Sequence, residues 1–141
     1  MTRNPSVLGF FRSVFELFGI VLVRFRPVQR IWGAWLVAVN LASLLFIGHL
    51  EAQVALAAVG AAALAQALIY QRRRFIRILG MTHAVWIPML AWMALRLPPI
   101  PEGAFRVWLV ALMATNAISL VIDAWDATRF ALGERRPYYV W

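Results

Sequence analysis

The chain has 141 residues, 63% hydrophobic and only 14% charged, with a mean hydropathy of +0.74, a balance typical of integral membrane proteins and too poor in polar residues for a soluble globular surface. Cysteine is absent, which excludes disulfides, thiol catalysis and iron–sulfur ligation. The formal charge of +8 comes from 14 arginines against six acids; these arginines lie between apolar runs, a placement that fits membrane topology better than contact with nucleic acid.

Residues 1–30 open the chain as a cytoplasmic, interfacial segment. The stretch PSVLGFFRSVFELFGIVLVRFRP, Pro5 to Pro27, is apolar but carries Arg12 and Glu16 at helical i, i+4 spacing, and it lacks a small-residue cleavage site, so a removed signal peptide is not expected. An amphipathic helix on the inner leaflet suits it, with phenylalanines in the acyl boundary and Arg24, Arg26 and Arg30 on anionic headgroups. The alternative is a fifth span, which would bury Arg12 and Glu16.

Four runs then approach the roughly 20 apolar residues needed to cross a bilayer. They cover residues 31–48, 52–70, 78–95 and 107–125, and a cytoplasmic tail follows at 130–141, ending in RRPYYVW. With both termini inside, 12 arginines collect on the cytoplasmic side, Arg72, Arg73 and Arg74 among them at the membrane surface; only Arg96 and Arg106 lie outside. The three residues His49–Glu51 force the first two spans into a tight antiparallel hairpin, and the prolines of Arg96–Arg106 stiffen an outer loop. Trp32, Trp35, Tyr70, Trp108 and Trp125 fall near the expected boundaries, where amphipathic rings settle among headgroups. In the second span Ala57, Ala61 and Ala65 form one small-residue row, and Ala58 and Ala62 lead to Gln66 on the next. In the third, Pro88 predicts a kink one turn past His83.

The polar residues inside the spans are the candidate functional set. Counting from the inner arginines at 1.5 Å per residue, His83, Gln66 and Asp123 all come about 9 Å deep, Asn40 and Ser119 about 15 Å, and Ser43 and Asn116 about 20 Å. Asn116, Ser119, Asp123 and Asp126 follow spacings of three, four and three, which keeps them on one helix face. A carboxylate at that depth costs at least ~2.5 kcal/mol on insertion scales, so Asp123 needs a partner, and His83 and Gln66 are the natural ones. Asp126 lies closer to the headgroups, within reach of Arg129 or water. The seven groups Asn40, Ser43, Gln66, His83, Asn116, Ser119 and Asp123 are expected to hold the bundle in register through hydrogen bonds. A proton- or solute-handling cluster built on Asp123 and His83 is the alternative.

With two histidines, b-type haem has to be weighed. His49 and His83 lie roughly 20 Å apart along the membrane normal, so a site would need His83 alone or a pair of His83 side chains in a dimer. No metalloprotease, nucleophile-elbow or nucleotide-loop motif occurs, and no enzymatic activity, cofactor or metal is expected.

The stretches LGMTHAVWIPML, Leu79 to Leu90, and NAISLVIDAWDATRFALGERRP, Asn116 to Pro137, resemble a group of small, uncharacterised four-span proteobacterial inner-membrane proteins. The resemblance covers the C-terminal half and implies location and fold, with no activity attached. The expectation from the sequence is therefore an all-α, four-helix integral membrane bundle with an N-terminal interfacial helix, in a bacterial inner membrane. Its expected role is that of a non-catalytic accessory or assembly subunit, partnered by lipid and by other membrane subunits or itself.

Overall fold

The computed structural model describes residues 7–73 and 77–134, and no β-strand occurs among them. Five α-helices succeed one another: α1 (Val7–Gly19), α2 (Pro27–Leu41), α3 (Leu50–Arg73), α4 (Trp86–Arg96) and α5 (Ala104–Ala131). Pro27 opens α2 at the position where a missing N–H goes unnoticed. The rod continues through a 3-10 turn at Ala42–Phe46, so it begins four residues ahead of the expected span. The turn into α3 is as tight as the sequence requires: the His49 N–H donates to Phe46 O at 2.9 Å, and the Gln53 amide donates to Ile47 O at 2.9 Å.

Among the described residues, three helices are long and apolar enough to cross a membrane: Pro27–Phe46, Leu50–Gln71 and Ala104–Ala131. Only 22%, 22% and 33% of their most apolar windows are buried within the protein, so most of that surface faces outward, toward lipid or another chain. Leu45, Ile31, Val107 and Val121 are among the large apolar side chains exposed there.

The third expected span takes a different form. In place of a continuous helix kinked at Pro88, Arg77–Val85 winds as a 3-10 helix and α4 begins at Trp86. Pro88 therefore sits in the first turn of the α-helix, directly after the 3-10 winding, where its missing N–H costs least. At about 2.0 Å per residue for the nine 3-10 residues and about 1.5 Å for the 11 of α4, the broken rod is roughly 34 Å long.

At the N-terminus, Phe10, Val14, Leu17 and Ile20 pack on Ala67, Ile69, Tyr70 and Leu79, which docks α1 onto α3, while Phe11, Phe15 and Phe18 face outward. Arg12 and Glu16 form the expected i, i+4 pair at 2.7 Å, and the Tyr70 hydroxyl donates to the second Glu16 oxygen at 2.9 Å. A π-helical turn at Ile20–Arg24 then folds back on α2; a Cβ at Gly33 would overlap the Val21 side chain, so glycine permits this approach.

The main core joins Val39, Ala52, Ala55, Trp86, Met89, Met93, Trp108, Leu109 and Leu112. Two of the expected boundary rings belong inside it or its neighbour: Trp108 donates its indole N–H to Val39 O at 3.0 Å and is buried, and Tyr70 is buried against α1. On α3 the inward row runs Ala52, Ala55, Val59, Ala62, Gln66, Tyr70, at spacings of three and four, with Val59 and Gln66 part-buried and the others buried, while Ala57 and Ala61 face outward. The α2–α5 seam is polar at its centre. Asn40 and Asn116 exchange amide hydrogen bonds of 2.9 and 3.1 Å, and the Trp35 indole donates to Thr115 Oγ1 at 3.0 Å.

Replacing Asn40 or Asn116 alone by alanine strands the other amide in the seam, whereas the double replacement removes both halves. A double-mutant cycle, followed by helical circular dichroism during SDS titration in mixed micelles, is expected to give a coupling of about 0.6–1.7 kcal/mol. Strict additivity would show that the reciprocal pair contributes nothing.

Candidate functional site

Three elements converge on His83. α3 presents Gln66, the 3-10 segment presents His83, and α5 presents Asp123. His83 Nδ1 lies 2.8 Å from Asp123 Oδ2, and His83 Nε2 lies 2.9 Å from Gln66 Nε2. The expected meeting of these three side chains from separate rods is therefore present. The histidine and aspartate side chains retain 15% and 17% exposure, and the imidazole stacks on the Trp86 indole at 4.1 Å with planes 15° apart.

Local winding explains the fit. The 3-10 segment packs along α5, and Gly80 lies directly against the Asp123 side chain. A Cβ at position 80 would overlap a carboxylate oxygen, so glycine is required for Asp123 to sit where it does. Beside them lies a small apolar groove of about 110 Å³, lined by Gly80, Met81, Ala84, Ile87, Leu120, Asp123 and Ala124.

The chemistry follows from the ring nitrogens. With Nδ1–H donating to Asp123, a neutral imidazole offers its Nε2 lone pair to the Gln66 –NH2 group, as the observed orientation has it. A second proton on Nε2 would require the Gln66 carbonyl instead, reached by a half-turn of the amide. The arrangement can thus hold a proton between His83 and Asp123 while Gln66 answers the state of the ring.

The remaining sequence candidates fall elsewhere, and the single expected network of seven groups divides. Asn40 and Asn116 form their own reciprocal pair. The Ser43 hydroxyl donates to the Asn40 backbone carbonyl, within its own rod. Ser119 is 3% exposed, yet its hydroxyl bonds to no protein group, so it joins neither set. Asp126 is part-buried. Arg129, which the sequence offered it, holds Glu134 in a two-point bridge, Nε and Nη2 each 2.6 Å from a carboxylate oxygen. That bridge reinforces the end of α5, where Gly133 at φ 95° lets Glu134 N–H return to Arg129 O and Gly133 N–H to Phe130 O. Arg24, Arg26 and Arg30 are exposed. Arg74 and the 135–141 tail lie outside the described residues, as do the side chains of Arg72 and Arg73.

Both His83 nitrogens are engaged, so ligation of a haem iron would have to break the Gln66 or the Asp123 bond. His49 lies at the other end of the bundle, its ring stacked on Phe105 at 3.7 Å.

That far end carries an ion pair the sequence reading did not single out. Arg96 Nε donates to Glu51 Oε1 at 2.6 Å; the carboxylate is buried, and the guanidinium lies 4.9 Å from the centre of the Trp92 ring. The signal was present in chain order, because an acid opening one rod and a base closing the next antiparallel rod share an end. Around them, His49, Glu51, Arg96, Glu102 and Phe105 help line an open hollow of about 650 Å³.

Comparison with known proteins gives no match: no family model fits the chain, and no curated protein and no solved structure is similar to it. The resemblance of Leu79–Leu90 and Asn116–Pro137 to small proteobacterial membrane proteins gains no support from them.

Gly80→Ala tests the contact that seats Asp123. The added methyl must displace the carboxylate or part the two rods, so unfolding in mixed micelles should begin at lower SDS, with a loss of about 1–3 kcal/mol. Unchanged stability would mean that Asp123 does not depend on this approach.

Proposed function

We propose that this chain is a non-catalytic accessory or assembly subunit of a bacterial inner membrane, either within a larger membrane complex or as a homo-oligomer. In this reading α2, α3, the broken rod 77–96 and α5 are four spans with both termini cytoplasmic, and α1 lies at the inner interface. The arginine asymmetry supports the orientation. The length of the broken rod, close to a hydrocarbon core, supports the fourth span.

One observation carries the assembly role. Along α3, Ala57, Gly60 and Ala61 face away from the bundle, and Gly60 has nothing within 4 Å of where a Cβ would stand. Small residues on an outward helix face in lipid allow another helix to approach backbone to backbone, and lipid itself does not require them. The interior favours the same role. The amides of Asn40, Asn116 and Gln66 are joined from helix to helix, an arrangement that fixes packing and leaves them occupied.

Gly60→Leu places a bulky side chain on this face without touching the core. Native mass spectrometry after mild-detergent extraction should show a complex or oligomer for the unaltered chain and mostly monomer for Gly60→Leu, with helical content unchanged. A monomer in both preparations would overturn the assembly role.

A second reading, a small proton-coupled transporter or channel, is favoured by the unbroken Asp123–His83–Gln66 chain. Asp123→Asn separates the two. In reconstituted vesicles, a proton-linked carrier should lose pH-dependent flux while staying folded, whereas an assembly subunit should keep its oligomeric state with at most a modest loss of stability.

A further inference from the structure

Two of the buried polar atoms without a protein partner are the indole Nε1–H of Trp86 and the hydroxyl of Ser119. Each residue is 3% exposed. Unpaired buried donors are rare in folded proteins, and ordered water is their usual partner. The register brings the two to one level. His83 meets Asp123 on antiparallel rods; Trp86 lies three residues beyond His83, and Ser119 four before Asp123, each an axial step of about 5–6 Å in the same direction. Trp86 is also fixed in place, its indole stacked on the imidazole and packed in the main core.

We infer that Trp86 and Ser119 form an internal water site between α4 and α5. The water accepts the Trp86 N–H and exchanges a hydrogen bond with the Ser119 hydroxyl, which acts as donor or acceptor. Ser119 stands three residues from Asn116 and four from Asp123 on one face of α5, so the water occupies the step between the two polar layers. The site does not rest on the subunit role proposed above; it holds for a monomer or an assembly alike.

The test uses full-length protein labelled with 15N-tryptophan in nanodiscs, with the Trp86 indole signal assigned by its loss in Trp86→Phe. Water-selected NOE and ROE spectra should show the Trp86 indole proton in contact with a long-lived water. In Ser119→Ala, which removes one of the water's two protein partners, that contact should weaken; in Ser119→Val, which also fills the space, it should vanish while the other six indole signals hold their positions. Absence of a water contact in the unaltered protein overturns the site. So does an unchanged contact in Ser119→Ala, which would mean that the serine hydroxyl holds no water. Its persistence in Ser119→Val counts against the site in the same way. Should Ser119→Val fail to fold, the unaltered protein and Ser119→Ala decide the matter.

Discussion

An imidazole that uses both ring nitrogens to tie one helix to another is the constraint on which the α1 end of this bundle depends. His83 reaches Asp123 on α5 and Gln66 on α3, so three rods are fixed by one side chain. In hydrocarbon, an unmet polar group has no water to turn to, and it must find a partner within the protein. The nine-residue 3-10 winding of Arg77–Val85 is the accommodation. It brings Gly80 against Asp123 and His83 within bonding reach of it, and α-geometry resumes at Trp86, in time to place Pro88 in a first turn. Long 3-10 stretches are uncommon because side chains three apart eclipse. Here Gly80 and His83 stand three apart, and the eclipse aims both at the same carboxylate.

Each helix seam has its own polar clasp. Asn40 and Asn116 join α2 to α5, Glu51 and Arg96 join α3 to α4, Gln66 and Asp123 meet through His83, and Glu16 and Tyr70 join α1 to α3. Association of apolar rods in lipid gains little from hydrophobicity, since the acyl chains are as apolar as the side chains they would replace. Directional bonds at different levels therefore select the register, while Ala52, Ala55, Ala62 and Ala67 let the backbones come close enough to make them. The two ends differ in kind: one is closed by a buried ion pair with stacked aromatic rings, the other by the docking of α1.

Much of this was legible because rods in a membrane share a common frame. Counting residues from the inner arginines placed Gln66, His83 and Asp123 at one depth, and they meet. The same count set Asn40 and Asn116 about 5 Å apart, yet they pair. The error lies in the origin: Asn40 was counted from Arg30, whereas α2 begins at Pro27. From Pro27 the interval is 13 residues, equal to that from Arg129 back to Asn116. Less legible was anything set by winding or by shape. Sequence spacing treats Pro88 as a kink in a helix and has no means of foreseeing a 3-10 run before it. The small-residue rows were visible on α3, but which row faced inward depended on where Gln66 and Tyr70 found partners. Ser119 lies on the correct face of α5 and still bonds to neither polar set, because a short side chain between two layers reaches neither.

The same geometry bears on what the inner clasp can do. A purely structural junction is served by any pair of groups that stay bonded, whereas His83 adds a ring with two interchangeable protonation states and a neighbour, Gln66, able to satisfy either one. A proton taken up by Asp123 on its other oxygen, Oδ1, would leave the bond from His83 Nδ1–H to Oδ2 and its donor unchanged. A proton arriving at Nε2 would instead oblige the Gln66 amide to turn over, on a helix whose opposite face carries the outward small residues. An assembly bound to Ala57 and Gly60 would thus share α3 with the group that answers the protonation of the ring. The rigidity of that helix, tied at one end by Glu51 and at the other by Tyr70, decides whether the turn of one amide stays local or passes along it.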